Sequence, residues 1–160
     1  MNPIDGIFQR AISKLLTEIF NGPPGREAFI LNPGDAGLIG QLDSIDAATA
    51  SARPMPGKTT IAAHADHVWY GLSLLNRWAG GEENPWSRAD WEASWRRGVV
   101  SADEWRKLRD NLRREVESWQ KHVIARQDWE DISAAGALSS IAHTAYHLGA
   151  IRQILAATGK

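Results

Sequence analysis

The sequence predicts an all-α protein, a four-helix bundle with long connections after its first and second helices. Four long segments repeat apolar residues every three or four positions, which is the period of an amphipathic helix. No segment shows the two-residue alternation typical of a half-buried strand. Long stretches rich in Gly, Pro and Ser divide the first three segments. At 160 residues the chain is most simply one domain, residues 1–160.

The first helix lies near the N-terminus and carries a broad apolar stripe. The stripe is centred on Ile4, Phe8, Ala11, Leu15 and Ile19, with Ile7, Ile12 and Leu16 beside them. The segment NGPPG, residues 21–25, ends the helix because proline cannot continue it. In the connection that follows, GLIGQLDSID favours a short helix and ASARPMPGK favours an irregular link.

The second helix is predicted over residues 59–79, before the Gly80-Gly81 pair that favours a helix stop. Its inward face consists of Ile61, Ala65, Val68, Leu72 and Leu75. A tryptophan-rich connection, ENPWSRADWEASWRRG, comes next and is expected to include a short helix.

The third helix opens at a predicted capping box formed by Ser101 and Glu104. It is expected to bury Trp105, Leu108, Leu112, Val116, Trp119 and Val123. The last helix is predicted to start between Ser133 and Leu138 and to run to about Thr158. Its apolar arc consists of Ile141, Leu148, Ile151, Ile154 and Leu155.

The composition excludes several classes of function. A net charge of -1 and a pI near 6.5 argue against a nucleic-acid partner. The chain has no cysteine, so it has neither a disulfide framework nor a thiol nucleophile of its own. The N-terminal MNPIDG lacks the features of a signal peptide, and no apolar run reaches the roughly 18 residues of a membrane helix. We therefore expect a cytoplasmic protein without a membrane partner.

Four of the five histidines fall on the inward sides of two predicted helices. His143 and His147 are one turn apart on the last helix, and His64 and His67 are three apart on the second. Gly71, one turn after His67, leaves space beside that imidazole. Bundle metal sites are built from such facing side chains, whereas histidines bonded to each other, to water or to carbonyls are the alternative.

Here the sequence resembles the DinB-like, YfiT-like superfamily of metal-binding four-helix bundles. The resemblance is carried by TIAAHADHVWYGL and IAHTAYHLGAIRQIL, and GDAGLIGQLDSI and WEASW support it. It implies a divalent metal held by one histidine of helix two and two of helix four, hence His67, His143 and His147. His67 is preferred because the family's ligand follows the helix start by about two turns. His64 is an addition to that pattern. Three roles are open for it: support of a ligand, an alternative ligand, or packing.

The resemblance also implies a function. Three imidazoles leave coordination positions open, as in catalytic sites, and zinc, nickel, iron or copper suits such ligands. Superfamily members include thiol-dependent S-transferases and a mycothiol-dependent isomerase. We therefore expect a metal-dependent transferase or hydrolase acting on a small-molecule substrate, with a low-molecular-weight thiol as the possible cosubstrate. The alternative is a non-catalytic metal- or ligand-binding bundle with a role in stress.

Three further expectations concern other residues. Arg152 is a candidate for binding an anionic substrate group, or for lying along the bundle surface. Asp128, Glu130 and Asp131 either approach the mouth of the site or form a solvated acidic cluster. Family habit and the tryptophans from Trp86 to Trp95 favour a homodimer, although core packing explains these tryptophans equally well.

Overall fold

A computed structural model describes residues 3–56 and 58–159, with side chains from residue 6 onward. Gly57 and the side chain of Ile4 therefore lie outside the described part. In this part the chain forms six α-helices and two short 3-10 helices, at Pro85–Arg88 and Ala93–Trp95, and it forms no strand. The α-helices are α1 (Pro3–Asn21), α2 (Gly37–Asp43), α3 (Ala47–Ser51), α4 (Ile61–Ala79), α5 (Ala102–Ala125) and α6 (Asp131–Ala157).

The four long helices match the four predicted ones in position, and they pack around one core. Helix α4 contacts both α5 and α6, and α1 contacts the same two helices. The two long connections, residues 22–60 and 80–101, have the predicted places. The first contains α2, the short helix expected from GLIGQLDSID, and also α3, which the sequence did not predict. The Asp46 carboxylate starts α3 by accepting the Thr49 N–H at 2.7 Å.

The predicted inward faces of the later helices are largely confirmed. The capping box of Ser101 and Glu104 is present at the start of α5. All six residues predicted to be buried on α5 are buried. On α4 and α6 the predicted faces are buried except for Leu75 and Leu155, which are half-buried at the edge of the core.

Two details of the helix predictions were wrong. On α1 the buried line is rotated, because Ile12, Leu16, Ile19 and Phe20 enter the core while Ala11 faces solvent. Helix α6 begins at Asp131, two residues before the predicted range. The Ser133 hydroxyl causes this earlier start, since it accepts the Glu130 N–H and donates to the Glu130 carbonyl, both at 2.9 Å.

Two buried tryptophans of α5 join it to other elements. The Trp105 indole N–H donates to the Ile45 carbonyl at 2.7 Å, which ties α5 to the first connection. The Trp119 indole N–H donates to the Ser140 hydroxyl of α6 at 2.9 Å. Trp86 and Trp91, in the second connection, are partly exposed, and a homodimer that covers them stays a prediction. No helix in the described ranges has the length and hydrophobicity needed to cross a membrane.

A buried carboxylate fixes the first connection against α1. Glu18 is 1% exposed and accepts the backbone N–H groups of Phe29, Ile30 and Leu31 at 2.6–3.0 Å. Burial alone would raise the pKa of Glu18, but the N–H donors from Leu31, Ile30 and Phe29 outweigh it and lower the pKa. The ionised form is therefore the one that the fold stabilises.

We expect Glu18→Gln to lower the free energy of unfolding by about 2–3 kcal/mol at pH 7. The amide keeps one acceptor oxygen but turns an N–H group toward the backbone donors. Because the folded-state pKa lies below the unfolded one, the contribution of Glu18 is complete above about pH 4.5 and decreases as the pH falls below it. Urea denaturation at pH 7 and at pH 4 measures both effects.

The matched control is Glu27→Gln, since Glu27 is an exposed residue paired with Lys14 on the surface. This variant should stay within about 0.5 kcal/mol of the parent. Equal destabilisation by the two substitutions would show that the buried carboxylate has no special role.

Candidate metal centre

Four histidines meet where α4 packs against α6. His64 and His67 lie in the first two turns of α4, where every residue from 61 to 68 is buried. His143 and His147 are one turn apart on α6, the first half-buried and the second 1% exposed. The start of α4 is fixed by the Thr60 hydroxyl, which accepts the Ala63 N–H at 3.2 Å.

Three of these histidines, His67, His143 and His147, bring their ring nitrogens together. One nitrogen from each ring lies within 4.8 Å of the other two. The Nε2 atoms of His143 and His147 are 3.0 Å apart. Nitrogens sharing one zinc ion would lie about 3.3 Å apart, given Zn–N bonds of about 2.0–2.1 Å. The structure thus brings together the three residues that the sequence predicted as ligands, at a spacing that allows metal binding.

The ring of His67 is oriented by a serine in the tryptophan-rich connection. His67 Nδ1 lies 2.7 Å from the Ser94 hydroxyl, whose own proton points to the Trp91 carbonyl at 2.7 Å. A carbonyl can only accept, so the hydroxyl proton is used there and His67 Nδ1 must be the donor to Ser94. The neutral ring therefore carries its lone pair on Nε2, which has no hydrogen-bond partner among the described residues.

His64 lies behind His147 and contacts it through a ring nitrogen. The Nδ1 atoms of the two rings are 2.8 Å apart, and His64 Nε2 is 3.0 Å from the Thr59 hydroxyl. When His147 Nε2 presents a lone pair, its proton is on Nδ1 and is donated to His64 Nδ1. His64 then carries its proton on Nε2 and donates it to Thr59. This arrangement corresponds to a residue that supports a ligand, one of the three roles considered for His64.

The segment that carries Ser94 is held against α4 by polar and aromatic contacts. Trp95 stacks on the His67 ring with centroids 4.2 Å apart. Arg97 forms an ion pair with the buried Asp66 at 3.0 Å, and the Tyr70 hydroxyl accepts the Asp90 N–H at 2.9 Å. Burial raises the pKa of Asp66 although the Arg97 charge opposes the increase. These contacts fix the position of Ser94 relative to His67.

The environment keeps all four imidazoles neutral. Burial, followed by repulsion from His143, His64 and His67, lowers the pKa of His147 to about 3. Burial, followed by repulsion from His143 and His64, lowers the pKa of His67 to about 4. Burial also lowers the pKa values of His64 and His143. Neutral imidazole is the form that binds a metal ion, so the cluster is prepared for coordination at neutral pH.

The donor set fits a divalent transition metal. The His143 and His147 Nε2 atoms face each other at 3.0 Å, so without a proton between them their lone pairs repel. The free lone pair of His67 lies in the same group. A cation removes the repulsion and uses all three lone pairs, and imidazole ligands suit zinc, nickel, iron or copper.

A cavity of about 520 Å³ adjoins the histidine cluster, and His143 forms part of its wall. Gly71 lines it as well, and a Cβ at this position would lie 3.5 Å from the His143 ring and 4.0 Å from Trp91. The predicted space next to Gly71 is therefore present, but it lies beside His143 and not beside His67.

The other candidate residues lie elsewhere. Arg152 forms an ion pair with Asp35 at 2.7 Å and so joins α6 to the loop before α2. The Arg152 guanidinium is therefore paired with a carboxylate of the chain itself. Asp128 is exposed, and neither it nor Glu130 or Asp131 lines the cavity beside His143.

Sequence reasoning missed Thr59 and Ser94, the two hydroxyl residues that complete the cluster. Thr59 directly precedes the residue that caps α4, and Ser94 lies between two tryptophans in WEASW. A polar residue between two large apolar ones in a connection was the available signal, but nothing in the sequence shows that this connection folds back onto α4.

A family model matches residues 37–151, which is more than half of the chain, and its description is DinB superfamily. The matched region includes α4, the part of α6 up to residue 151, and all four clustered histidines. No curated protein and no solved structure matches the chain.

We expect the metal-free protein to lose stability as the pH falls below 6.5. The folded-state pKa values of His67 and His147 lie below the unfolded value of about 6.5, so the unfolded chain binds protons first. Their contribution is complete above pH 6.5 and decreases toward pH 4. At pH 5 each ring should account for a loss on the order of 2 kcal/mol. Urea denaturation of chelator-treated protein from pH 8 to pH 5 measures the slope.

The variant His147→Asn provides the comparison. It removes one titrating ring, so its stability should fall less steeply between pH 6.5 and pH 5. A slope identical to that of the parent would contradict the assignment of the loss to the buried imidazoles.

Proposed function

The chain belongs to the DinB superfamily, and on that premise we propose that it is a metal-dependent enzyme acting on a small molecule. We propose that one divalent transition-metal ion is held by His67, His143 and His147, with zinc, nickel and iron as the candidates. The reaction we favour is an S-transfer or a hydrolysis. In the same proposal the four long helices form the family's four-helix bundle, with α2 and α3 as additions within the first connection.

The observation that carries the metal site is the fixed tautomer of His67. The hydrogen bond to Ser94 leaves a lone pair on Nε2, beside the two facing nitrogens of His143 and His147. Hydrogen bonds to the distal nitrogen of a ligand are the usual way in which proteins orient metal-binding histidines. Both His67 and His147 have such a bond, since His67 donates to Ser94 and His147 donates to His64.

When bound, a divalent ion would lower the pKa of a thiol or water beside it and would polarise an electrophilic substrate. The chain's own residues supply the remaining requirements. Ser94, His64 and Thr59 hold the ligand rings in place. The cavity next to His143 provides room for a substrate at the edge of the cluster.

The cavity also supports the catalytic proposal over its alternative. A non-catalytic metal-binding bundle needs no space beside its ligands, whereas an enzyme needs an open position that faces a pocket. The cavity of about 520 Å³ has the size of a small-molecule site. Because the chain has no cysteine, an S-transfer would take its sulfur from a low-molecular-weight thiol cosubstrate.

The proposal is tested by elemental analysis of the purified protein, followed by a screen of the loaded protein. We expect about one transition-metal ion per chain, and turnover of electrophiles in the presence of a small-molecule thiol, or hydrolysis without one. Bound metal with no turnover in either screen would favour the non-catalytic alternative. Protein that retains no metal, even after incubation with zinc, nickel or iron, would refute the metal site itself.

We expect His67→Ala, His143→Ala and His147→Ala each to abolish tight metal binding. Each substitution removes one of three ligands and leaves the others too few to hold the ion. Since the ion joins α4 to α6, saturating metal should raise the melting temperature of the parent but not that of these variants. Calorimetric titration with zinc and thermal melts with and without metal measure the two effects.

His64→Ala is the matched control, because it lies in the same cluster but outside the proposed ligand set. It should retain the ion with an affinity about 10- to 100-fold weaker, owing to the lost support of His147. Loss of metal in His64→Ala together with retention in His67→Ala would exchange the two roles. Equal binding by all four variants and the parent would exclude this cluster as the metal site.

We further expect Ser94→Ala to weaken metal binding by about 10- to 100-fold without removing a ligand. The substitution deletes the acceptor that fixes the His67 tautomer, so both ring nitrogens become available to compete for the proton. Ser139→Ala, on an exposed position of α6, should leave the zinc affinity unchanged. An unaltered affinity in Ser94→Ala would show that His67 does not depend on this hydrogen bond.

A further inference from the structure

The cavity beside His143 has a strongly apolar wall. Its lining includes three tryptophans, Trp78, Trp86 and Trp91, and the aliphatic residues Leu75 and Ile132. Trp78 and Trp86 lie against each other with ring centroids 5.8 Å apart. Aromatic walls of this kind favour flat, apolar ligand groups, since they bury large areas and stack on rings.

Among the residues that the structure describes, no lysine, arginine, aspartate or glutamate lines this cavity. Within the described ranges, His143 is the one titratable side chain in the lining. The Arg126 guanidinium lies 6.0 Å from the Trp78 ring centroid, but Arg126 lines a different cavity. A charged ligand group placed among these tryptophans would thus lose its hydration without gaining a partner of opposite charge.

The hydroxyl groups in the wall are already used within the protein. Ser139 donates to the Gly136 carbonyl, Ser140 to the Ala137 carbonyl and Thr144 to the Ser140 carbonyl, all at 2.7–2.9 Å. With their protons committed, these hydroxyls offer a ligand only acceptor positions. These hydroxyls therefore supply no free proton to the carboxylate or amide oxygens of a polar molecule.

Glycine on both facing helices opens the cavity. A Cβ at Gly136 of α6 would lie 3.5 Å from the Trp78 ring, and one at Gly71 of α4 would lie 3.5 Å from the His143 ring. Side chains at these positions would occupy the volume between the tryptophans and the histidine cluster. Their absence leaves a continuous space from the exposed edge at Ile132, which is 66% exposed, to His143.

From these observations we propose that the cavity binds the apolar body of the substrate, and that this substrate is an uncharged small molecule with an aromatic or similarly rigid group. The statement that this ligand is a substrate rests on the proposed metal-dependent function. The ligand's reactive end lies at His143, next to the other two histidines. A charged, hydrophilic thiol does not fit this wall and approaches the cluster from outside the cavity.

Three naphthalene probes of nearly equal size test the proposal on chelator-treated protein by equilibrium dialysis at pH 7.5. They are naphthalene-2-methanol, which is neutral, 2-naphthoate, an anion, and 2-naphthylmethylammonium, a cation. In metal-free protein the carboxylate of 2-naphthoate cannot bind a metal ion, so the cavity wall alone determines the order of the three affinities. We expect the neutral probe to bind at least tenfold more tightly than either charged probe.

Ala135→Phe fills the cavity from an exposed position on α6 and should weaken the neutral probe at least tenfold. Ala156→Phe makes the same change at an exposed position of α6 outside the cavity and should leave the affinity unchanged. Trp86→Ala provides a second test that does not depend on filling the cavity. It removes one aromatic side chain from the wall and should also weaken binding of the neutral probe.

Tighter binding of a charged probe, or equal binding by the parent and Ala135→Phe, would overturn the proposal. A lack of binding by all three probes would also overturn it. If the parent is a dimer and Ala135→Phe dissociates it, the surface is an interface with a second copy of the chain, and the proposal is likewise overturned. Zinc titration of Ala135→Phe is the separate readout of the metal site and should match the parent. Failure of the probes with normal zinc binding would refute only the cavity assignment.

Discussion

The structure depends on four imidazoles packed between two helices, three of them buried and one, His143, half-buried. Each buried ring nitrogen without a partner costs about 1–3 kcal/mol, so the surrounding chain must supply acceptors and donors. Thr59 does so from the residue before the cap of α4, and Ser94 from the second connection. The packing of α4 against α6, the route of the connection and the order of the hydrogen bonds all follow from this requirement.

The hydrogen bonds within the cluster also determine where protons can be. His67 is held in one tautomer, because the Ser94 hydroxyl has given its proton to a carbonyl. The pair His64 and His147 can exist in two orders, since the Thr59 hydroxyl can both donate and accept. Without a cation, one proton must lie between His147 and His143. A bound cation would instead use the lone pair of His147 Nε2, so the His147 proton would lie on Nδ1 and be donated to His64, and no ring would need to gain or lose charge.

The sequence predicts the parts of this structure that follow from helical periodicity. The buried face of α5 and its capping box are correct because both depend on spacing within one helix. The convergence of the three histidines was predicted through the family resemblance and through the turn-by-turn spacing of His143 and His147. The predictions were wrong for the start of α6 and for the centre of the α1 stripe. The first depends on the hydrogen bond of the Ser133 hydroxyl and the second on the packing of Phe20.

What could not be predicted lies in contacts between segments distant along the chain. Glu18 binds three backbone N–H groups that begin 11 residues later, and Ser94 reaches a histidine 27 residues earlier. Neither contact has a period or a motif, because each depends on how an irregular connection folds against a helix.

The connection between α4 and α5 has a consequence for how this protein can change over time. One short stretch supplies Ser94, which orients His67, and also Trp86 and Trp91, which form the cavity wall. An insertion or deletion within it would displace all three together. Selectivity for a new ligand is therefore easier to acquire by single substitutions along α6, where Ala135 and Ser139 face the cavity from a rigid helix. Divergent relatives should accordingly vary most at those helical positions and least in the length of the connection.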